Sequence, residues 1–326
     1  MPPVQPRDRV RFGIGEWYGR AAESRLAKPV NVATVPGRSP FRYPGGKTWL
    51  VPYVRNWLAS LPERPSELCE PFAGGGIISL TVAFERLADH ARLVELDSQV
   101  AAVWRTMLDE EGAEWLARRI LEFKVTAESV KALLSEAPTT PRDQAFQTIL
   151  KNRTYRGGIL APGSAPIKLG ENGKGIASRW YPATLAKRIR DIGRIRERLG
   201  FVEGDGLAII EAGATRPDIA WFIDPPYTAS QKKAGSRLYT HFELDHGRLF
   251  DLAAGLAGDF LMTYDNAGEI KDLARSHNLD TELVAMTNTH NSTMVELLIG
   301  RDLGWLRASM GAQASFANPC DDSSFR

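Results

Sequence analysis

The stretch Trp221 to Tyr227, W-F-I-D-P-P-Y, constrains the fold more than any other part of the chain. Trp221, Phe222 and Ile223 form an unbroken apolar run, the pattern of a strand covered on both faces rather than one with a wet side. The run stops at a carboxylate and two prolines, which cannot continue a sheet ladder. The same rhythm recurs along the chain. S-E-L-C-E before Pro71, A-R-L-V-E-L-D up to Asp97, F-V-E-G-D up to Asp205 and G-D-F-L-M-T-Y-D-N up to Asn266 each read as a short strand with a polar end. Helical segments separate them, and E-L-V-A-M-T and T-M-V-E-L-L-I read as a closing antiparallel pair. The expected fold is α/β, a Rossmann-like doubly wound sheet with helices on both faces and a smaller, mainly helical insertion. The expected divisions are an arm over 1–39, a main domain from 40–137 and 200–312, an insertion over 138–199, and a frayed tail over 313–326.

The strand ends carry the chemistry. Ionised Asp224 accepts hydrogen bonds without donating, and Pro225 and Pro226 offer only carbonyls on a stiffened backbone. With the flat face of Tyr227 beside them, two convergent acceptors suit a planar group bearing an amine, such as the exocyclic N–H₂ of a nucleobase. In F-R-Y-P-G-G-K, Pro44, Gly45 and Gly46 make a turn before a helix, where Lys47 and Thr48 can meet a polar ligand. The spacing is not that of a nucleotide P-loop, because the glycines directly precede the lysine. E-P-F-A-G-G-G reads as a strand ending near Glu70, a turn at Gly74 to Gly76 and a helix start whose N–H groups face a ligand. Asp97, read as the end of the second strand, suits ribose hydroxyls. The glycines do not follow G-x-G-x-x-G, so the pattern points to a nucleoside-containing ligand without specifying a pyrophosphate.

Two cysteines, Cys69 and Cys320, exclude a disulfide framework, and no His/Cys arrangement suggests a metal. No run of about 18 apolar residues and no hydrophobic leader occurs, so a cytoplasmic protein away from membranes is expected. The formal net charge of +2 conceals an asymmetry: residues 141–200 hold 13 Lys or Arg against 4 Asp or Glu. That excess suits a polyanion. Within it, K-N-R-T-Y-R-G-G and the glycine-rich chain that follows read as irregular. A-T-L-A-K-R-I-R-D-I-G-R-I-R-E-R-L then reads as a helix with Leu185, Ile189, Ile192, Ile195 and Leu199 on one side. Lys151, Asn152, Arg153, Tyr155 and Arg156 from the loop and Arg190 and Arg194 from the helix are the candidate nucleic-acid contacts.

Taken in order, F-R-Y-P-G-G-K, E-P-F-A-G-G-G, the acid at Asp97, K-N-R-T-Y-R-G-G and D-P-P-Y resemble the Dam-type (D12 class) adenine-specific DNA methyltransferases in their alpha-group arrangement. The resemblance runs from about Pro40 to Arg301. It implies a methyltransferase sheet that binds S-adenosylmethionine. The cofactor residues it implies are Tyr43, Gly46, Lys47, Glu70, Phe72, Ala73, Gly74, Gly75, Asp97, Asp205 and Asp224. Gly206 departs from the family, which usually carries phenylalanine after the aspartate. Asp224, Pro225, Pro226 and Tyr227 would orient a flipped adenine, and Tyr239, Phe242 and His246 resemble the segment that follows. The implied partner is double-stranded DNA, with a cognate restriction endonuclease as a further partner and a monomer as the expected state. The two-acceptor chemistry equally admits RNA adenine N6 or DNA cytosine N4, and a protein of another class, an idle DNA binder, would keep the basic segment while losing these motifs.

Overall fold

The computed structural model describes residues 30–316 except 44, 171–172, 227–243 and 288–292. Seven strands form one sheet: β1 Glu67–Glu70, β2 His90–Glu95, β3 Leu199–Glu203, β4 Ile219–Ile223, β5 Phe260–Asp265, β6 Asp280–Thr287 and β7 Thr293–Gly300. Their spatial order is β3-β2-β1-β4-β5-β7-β6. The pairings from β3 through β5 are parallel, and β7 enters antiparallel between β5 and β6. This is the expected doubly wound α/β sheet.

Strand alternation sorts the apolar side chains onto two faces. Leu68, Leu93, Ala220, Phe222 and Leu261 join one buried cluster; Cys69, Val94, Ile219, Trp221, Ile223 and Met262 join another. Helices α1 (Val51–Ser60), α2 (Ile77–Glu85) and α3 (Ser98–Leu108) cover the first face. Helices α8 (Gly206–Gly213), α9 (His246–Gly255) and α10 (Gly268–Ser276) cover the second. All five residues of β4 are therefore buried, as its unbroken apolar run requires.

Between β2 and β3 the chain adds α4 (Gly112–Glu122), α5 (Ala127–Ser135), α6 (Pro141–Thr154) and α7 (Pro182–Arg194). Phe146 and Ile149 of α6 and Leu185, Ile189 and Ile192 of α7 belong to the same buried cluster as Trp104 and Leu93, so these helices thicken the first face and share its core. Three expectations need correction here. Lys151, Asn152 and Arg153 are not loop residues: they form the last turn of α6. Leu199 begins β3 instead of closing a helix, because its apolar side chain sits opposite Ala91 in the sheet. Residues 313–316 of the expected tail belong to α11 (Gly304–Phe316). Most of the N-terminal arm (1–29) and the chain after 316 lie outside the described residues.

Candidate active site at the switch point of the sheet

Chain order reverses between β1 and β4, and in open α/β sheets the carboxyl ends of the strands at such a reversal border the ligand crevice. Cys69 pairs with Trp221, so the loops after Glu70 and after Ile223 emerge side by side. Topology thus brings E-P-F-A-G-G-G and D-P-P together across about 150 residues of sequence.

The glycine loop is braced from three directions. Gly74 and Gly76 adopt left-handed φ of 47° and 60°, conformations that glycine takes without steric cost. A Cβ at Gly76 would stand 2.5 Å from Leu93 and 2.6 Å from Trp104. The Gly74 carbonyl accepts from Trp104 Nε1 at 3.0 Å, and the Gly74 N–H donates to Glu95 Oε2 at 2.9 Å. Ser39 Oγ donates to the Gly75 carbonyl at 2.6 Å, and the Tyr43 ring packs over Gly74. Residues 39–43 therefore form a strap across the loop, with Gly46 exposed just beyond it and Lys47 buried. Pro44 lies outside the described residues.

Carboxylates crowd the strand ends. Buried Glu70 accepts from Ser79 N and Oγ at 2.9 and 2.6 Å, yet burial pushes its carboxyl up to about 8. Strand β2 ends at Glu95, two residues before Asp97. Asp97 instead caps α3, accepting from Gln99 N at 2.8 Å. Glu95 also accepts the N–H groups of Leu96 and Asp97, and burial still pushes it up to about 7, the nearby Asp97 charge acting in the same direction. Asp205 caps α8 through Leu207 N at 3.0 Å. A Cβ on Gly206 would meet the Pro71 carbonyl at 2.5 Å and the Phe72 ring at 2.8 Å. The Phe72 ring thus takes up the space that a side chain at 206 would need.

Asp224 is half-buried directly after β4, followed by buried Pro225. Lys47 Nζ lies 3.2 Å from Asp224 Oδ1 and 3.2 Å from Glu296 Oε2, and Thr263 Oγ1 donates to Glu296 at 3.0 Å. Burial alone would lower the Lys47 pKa, but the two carboxylates outweigh it and raise it. The lysine side chain is 3 % exposed. Tyr264 Oη and His246 Nδ1 lie 2.8 Å apart, and burial lowers the His246 pKa. Tyr227, Tyr239 and Phe242 lie outside the described residues.

Glu95, Thr263 and Glu296 were missed as site residues from sequence. Glu95 is the acid that ends the apolar run of β2, and Glu296 is the only charge within M-V-E-L-L-I; both signals were available. The candidate nucleic-acid contacts separate. Asn152 is fully buried, accepting Arg42 N–H and donating to the Arg42 and Gly158 carbonyls at 2.8, 2.9 and 2.7 Å. Arg153 is buried and donates to the Pro40 carbonyl through Nε at 2.9 Å. Lys151 Nζ donates to the Leu160 carbonyl at 2.7 Å, beneath the half-buried Tyr155 ring. Arg190 grips Glu114 with two bonds of 2.7 and 2.8 Å, and Arg194 pairs with Asp191. Arg156 is exposed. Among the described residues no group of three or more His, Cys, Asp or Glu is arranged to hold a metal ion, and no helix is long and apolar enough to cross a membrane.

No family model and no curated protein matches this chain. Among solved structures, the rRNA methyltransferase aviRa from Streptomyces viridochromogenes is similar at 16% identity and a TM-score of 0.36, covering 87% of this chain and 94% of that one. A SAM-dependent methyltransferase from Leishmania major is similar at 10% identity and a TM-score of 0.32, covering 78% and 74%.

Proposed function

We propose that the protein is an S-adenosylmethionine-dependent methyltransferase. The support is the set of carboxyl groups at the switch point: Glu70, Glu95, Asp97, Asp205 and Asp224 come from the ends of four neighbouring parallel strands. Lys47, which lies among them, is bound to Asp224 and Glu296. Such an edge is rich in acceptors and suits a ligand with hydroxyls and positive charge. Glu95 and Asp97 would hold the ribose, Asp205 the adenine edge, and the Tyr43–Gly74 contact would border the cofactor. Bound there, S-adenosylmethionine supplies an electrophilic sulfonium methyl.

More particularly, the substrate is the N6 amine of adenine in duplex DNA. Asp224 and the Pro225 carbonyl would accept the two amino hydrogens and turn the nitrogen lone pair toward the methyl. Lys47 fixes the Asp224 carboxylate through Oδ1, so the acceptor is preorganised. The base must leave the duplex first, at a cost of a few kcal/mol, which stacking on Tyr227 would partly offset. The ordered motif set supports DNA adenine over RNA adenine or cytosine N4. Incubation with methyl-labelled cofactor and duplex DNA, RNA or protein, followed by nucleoside analysis, is the test. Label in N6-methyladenine from DNA is expected. Label only in RNA or in N4-methylcytosine overturns the substrate, and no transfer to any of them overturns the class.

A further inference from the structure

The strap at 39–43 has a second edge, facing away from the glycine loop, and arginines gather on it. Arg153 Nε donates to the Pro40 carbonyl at 2.9 Å and Arg188 Nη1 donates to the Ser39 carbonyl at 2.9 Å. Arg42 is held by its own backbone to Asn152, the neighbour of Arg153. Arg179 is close enough for its charge to act on both Arg42 and Arg153. Burial, followed by the mutual repulsion of these guanidinium groups, pushes Arg153 down to about 9. Among the described residues no carboxylate lies within salt-bridge distance of Arg42, Arg153 or Arg188, and the Arg42 guanidinium makes no hydrogen bond. Elsewhere on the surface the pattern is opposite: Arg55, Arg190, Arg194 and Arg307 each hold a carboxylate.

We infer that Arg42, Arg153 and Arg188 form a phosphodiester site on the strap, which grips the backbone of the nucleic acid whose base enters the crevice. Like charges gathered in a half-buried place repel one another, and an anion relieves that repulsion. Guanidinium forks match phosphate oxygens in pairs, which makes phosphate the fitting anion. The Tyr181 ring, 44% exposed beside the cluster, offers a stacking face. Because Ser39 and Tyr43 also brace the glycine loop, a strand held here is registered against the cofactor site through one short segment. The inference rests on the nucleic-acid reading above and goes beyond it by replacing the Arg190 and Arg194 helix face as the electrostatic anchor.

Arg42→Gln is the informative variant, since Arg153 and Arg188 also hold the strap. Duplex affinity is measured over a salt series with a labelled duplex, its single strand, RNA of the same sequence, and inorganic phosphate as competitor. Arg64→Gln, on the remote Arg64–Asp89 pair, is the control. Arg42→Gln is expected to weaken duplex binding about tenfold and to lower the salt slope by about one, with cofactor affinity and melting temperature unchanged. Arg42→Lys should recover part of the affinity, as a point charge without the fork. Slope and affinity equal to those of the control overturn the site while leaving methyl transfer to DNA standing. Inorganic phosphate competing at the same concentration as the duplex, counted per phosphate, overturns the polymer assignment. A wild-type protein that binds cofactor but no nucleic acid overturns the substrate reading as well.

Discussion

At the scale of single residues, the site rests on charges held where water is scarce. Asp224→Ala is expected to lower kcat by at least about 10²-fold in a protein that still folds; it also takes from buried Lys47 one of its two carboxylates, so some stability is lost with it, less than for removal of the lysine because Glu296 remains. Near-normal turnover in a folded variant would remove Asp224 from the chemistry. Lys47→Met behaves differently. Removing a buried ammonium from between Asp224 and Glu296 is expected to cost about 3–5 kcal/mol of stability as well as turnover, read by denaturant titration. Glu95 sets a pH dependence. Its carboxyl sits near 7 in the free protein, and a ligand that donates to it favours the ionised form. Cofactor affinity by calorimetry should therefore rise with pH toward a plateau above about 7, weakening by up to about tenfold per unit below it. Glu95→Gln should flatten that profile, whereas Asp97→Asn, which keeps an acceptable helix cap, should not. A pH-independent wild-type affinity would sink this role for Glu95.

At the scale of elements, the end of α6 is an internal fastener. Asn152 spends its side chain on Arg42 and Gly158, tying α6 to the strap and to the turn where Gly157 and Gly158 have left-handed φ of 67° and 75°. Asn152→Ala would leave buried backbone groups without partners, so about 2–3 kcal/mol of stability should be lost in urea unfolding. If the loss is negligible and only nucleic-acid affinity falls, Asn152 is a contact residue and its inward bonds are incidental. The helix α7 illustrates the opposite case. Its apolar side is buried, while Arg190 and Arg194 are already matched by Glu114 and Asp191. Such exposed pairs contribute little to stability, about 0–1 kcal/mol each.

At the scale of the whole molecule, stability should peak on the acid side of neutrality. Glu70 and Glu95 have raised pKa values, so between about 5 and 8 the folded state keeps protons that the unfolded chain releases, and stability falls as pH rises. Glu85 and Asp280 are lowered, which adds stability that is lost only as pH falls below the ordinary carboxylate range. Comparing wild type with Glu70→Gln isolates one term: the variant should gain relative stability between pH 5 and pH 8, measured by melting temperature. A difference that stays constant over that range would mean Glu70 titrates normally.

The sequence by itself determined the strands, their punctuation and their burial. An apolar run such as W-F-I can satisfy its side chains only in a sheet covered twice, and the glycines after Glu70 announce a turn that other residues cannot make. The doubly wound fold followed, as did the pairing of E-P-F-A-G-G-G with D-P-P as one candidate site. What sequence could not decide is where long side chains end. Composition placed Arg153 on a basic, loop-like stretch, but the chain made it part of the last turn of a helix and its guanidinium found the Pro40 carbonyl. Arg190 and Arg194 looked like an anion surface until Glu114, 76 positions away from Arg190, and Asp191 came alongside. The strand boundary that separates Glu95 from Asp97 was set by the ladder with β3, which reaches Glu95 opposite Glu203 and stops. Charges are read locally in a sequence, but their partners are chosen by contacts that only the folded chain creates.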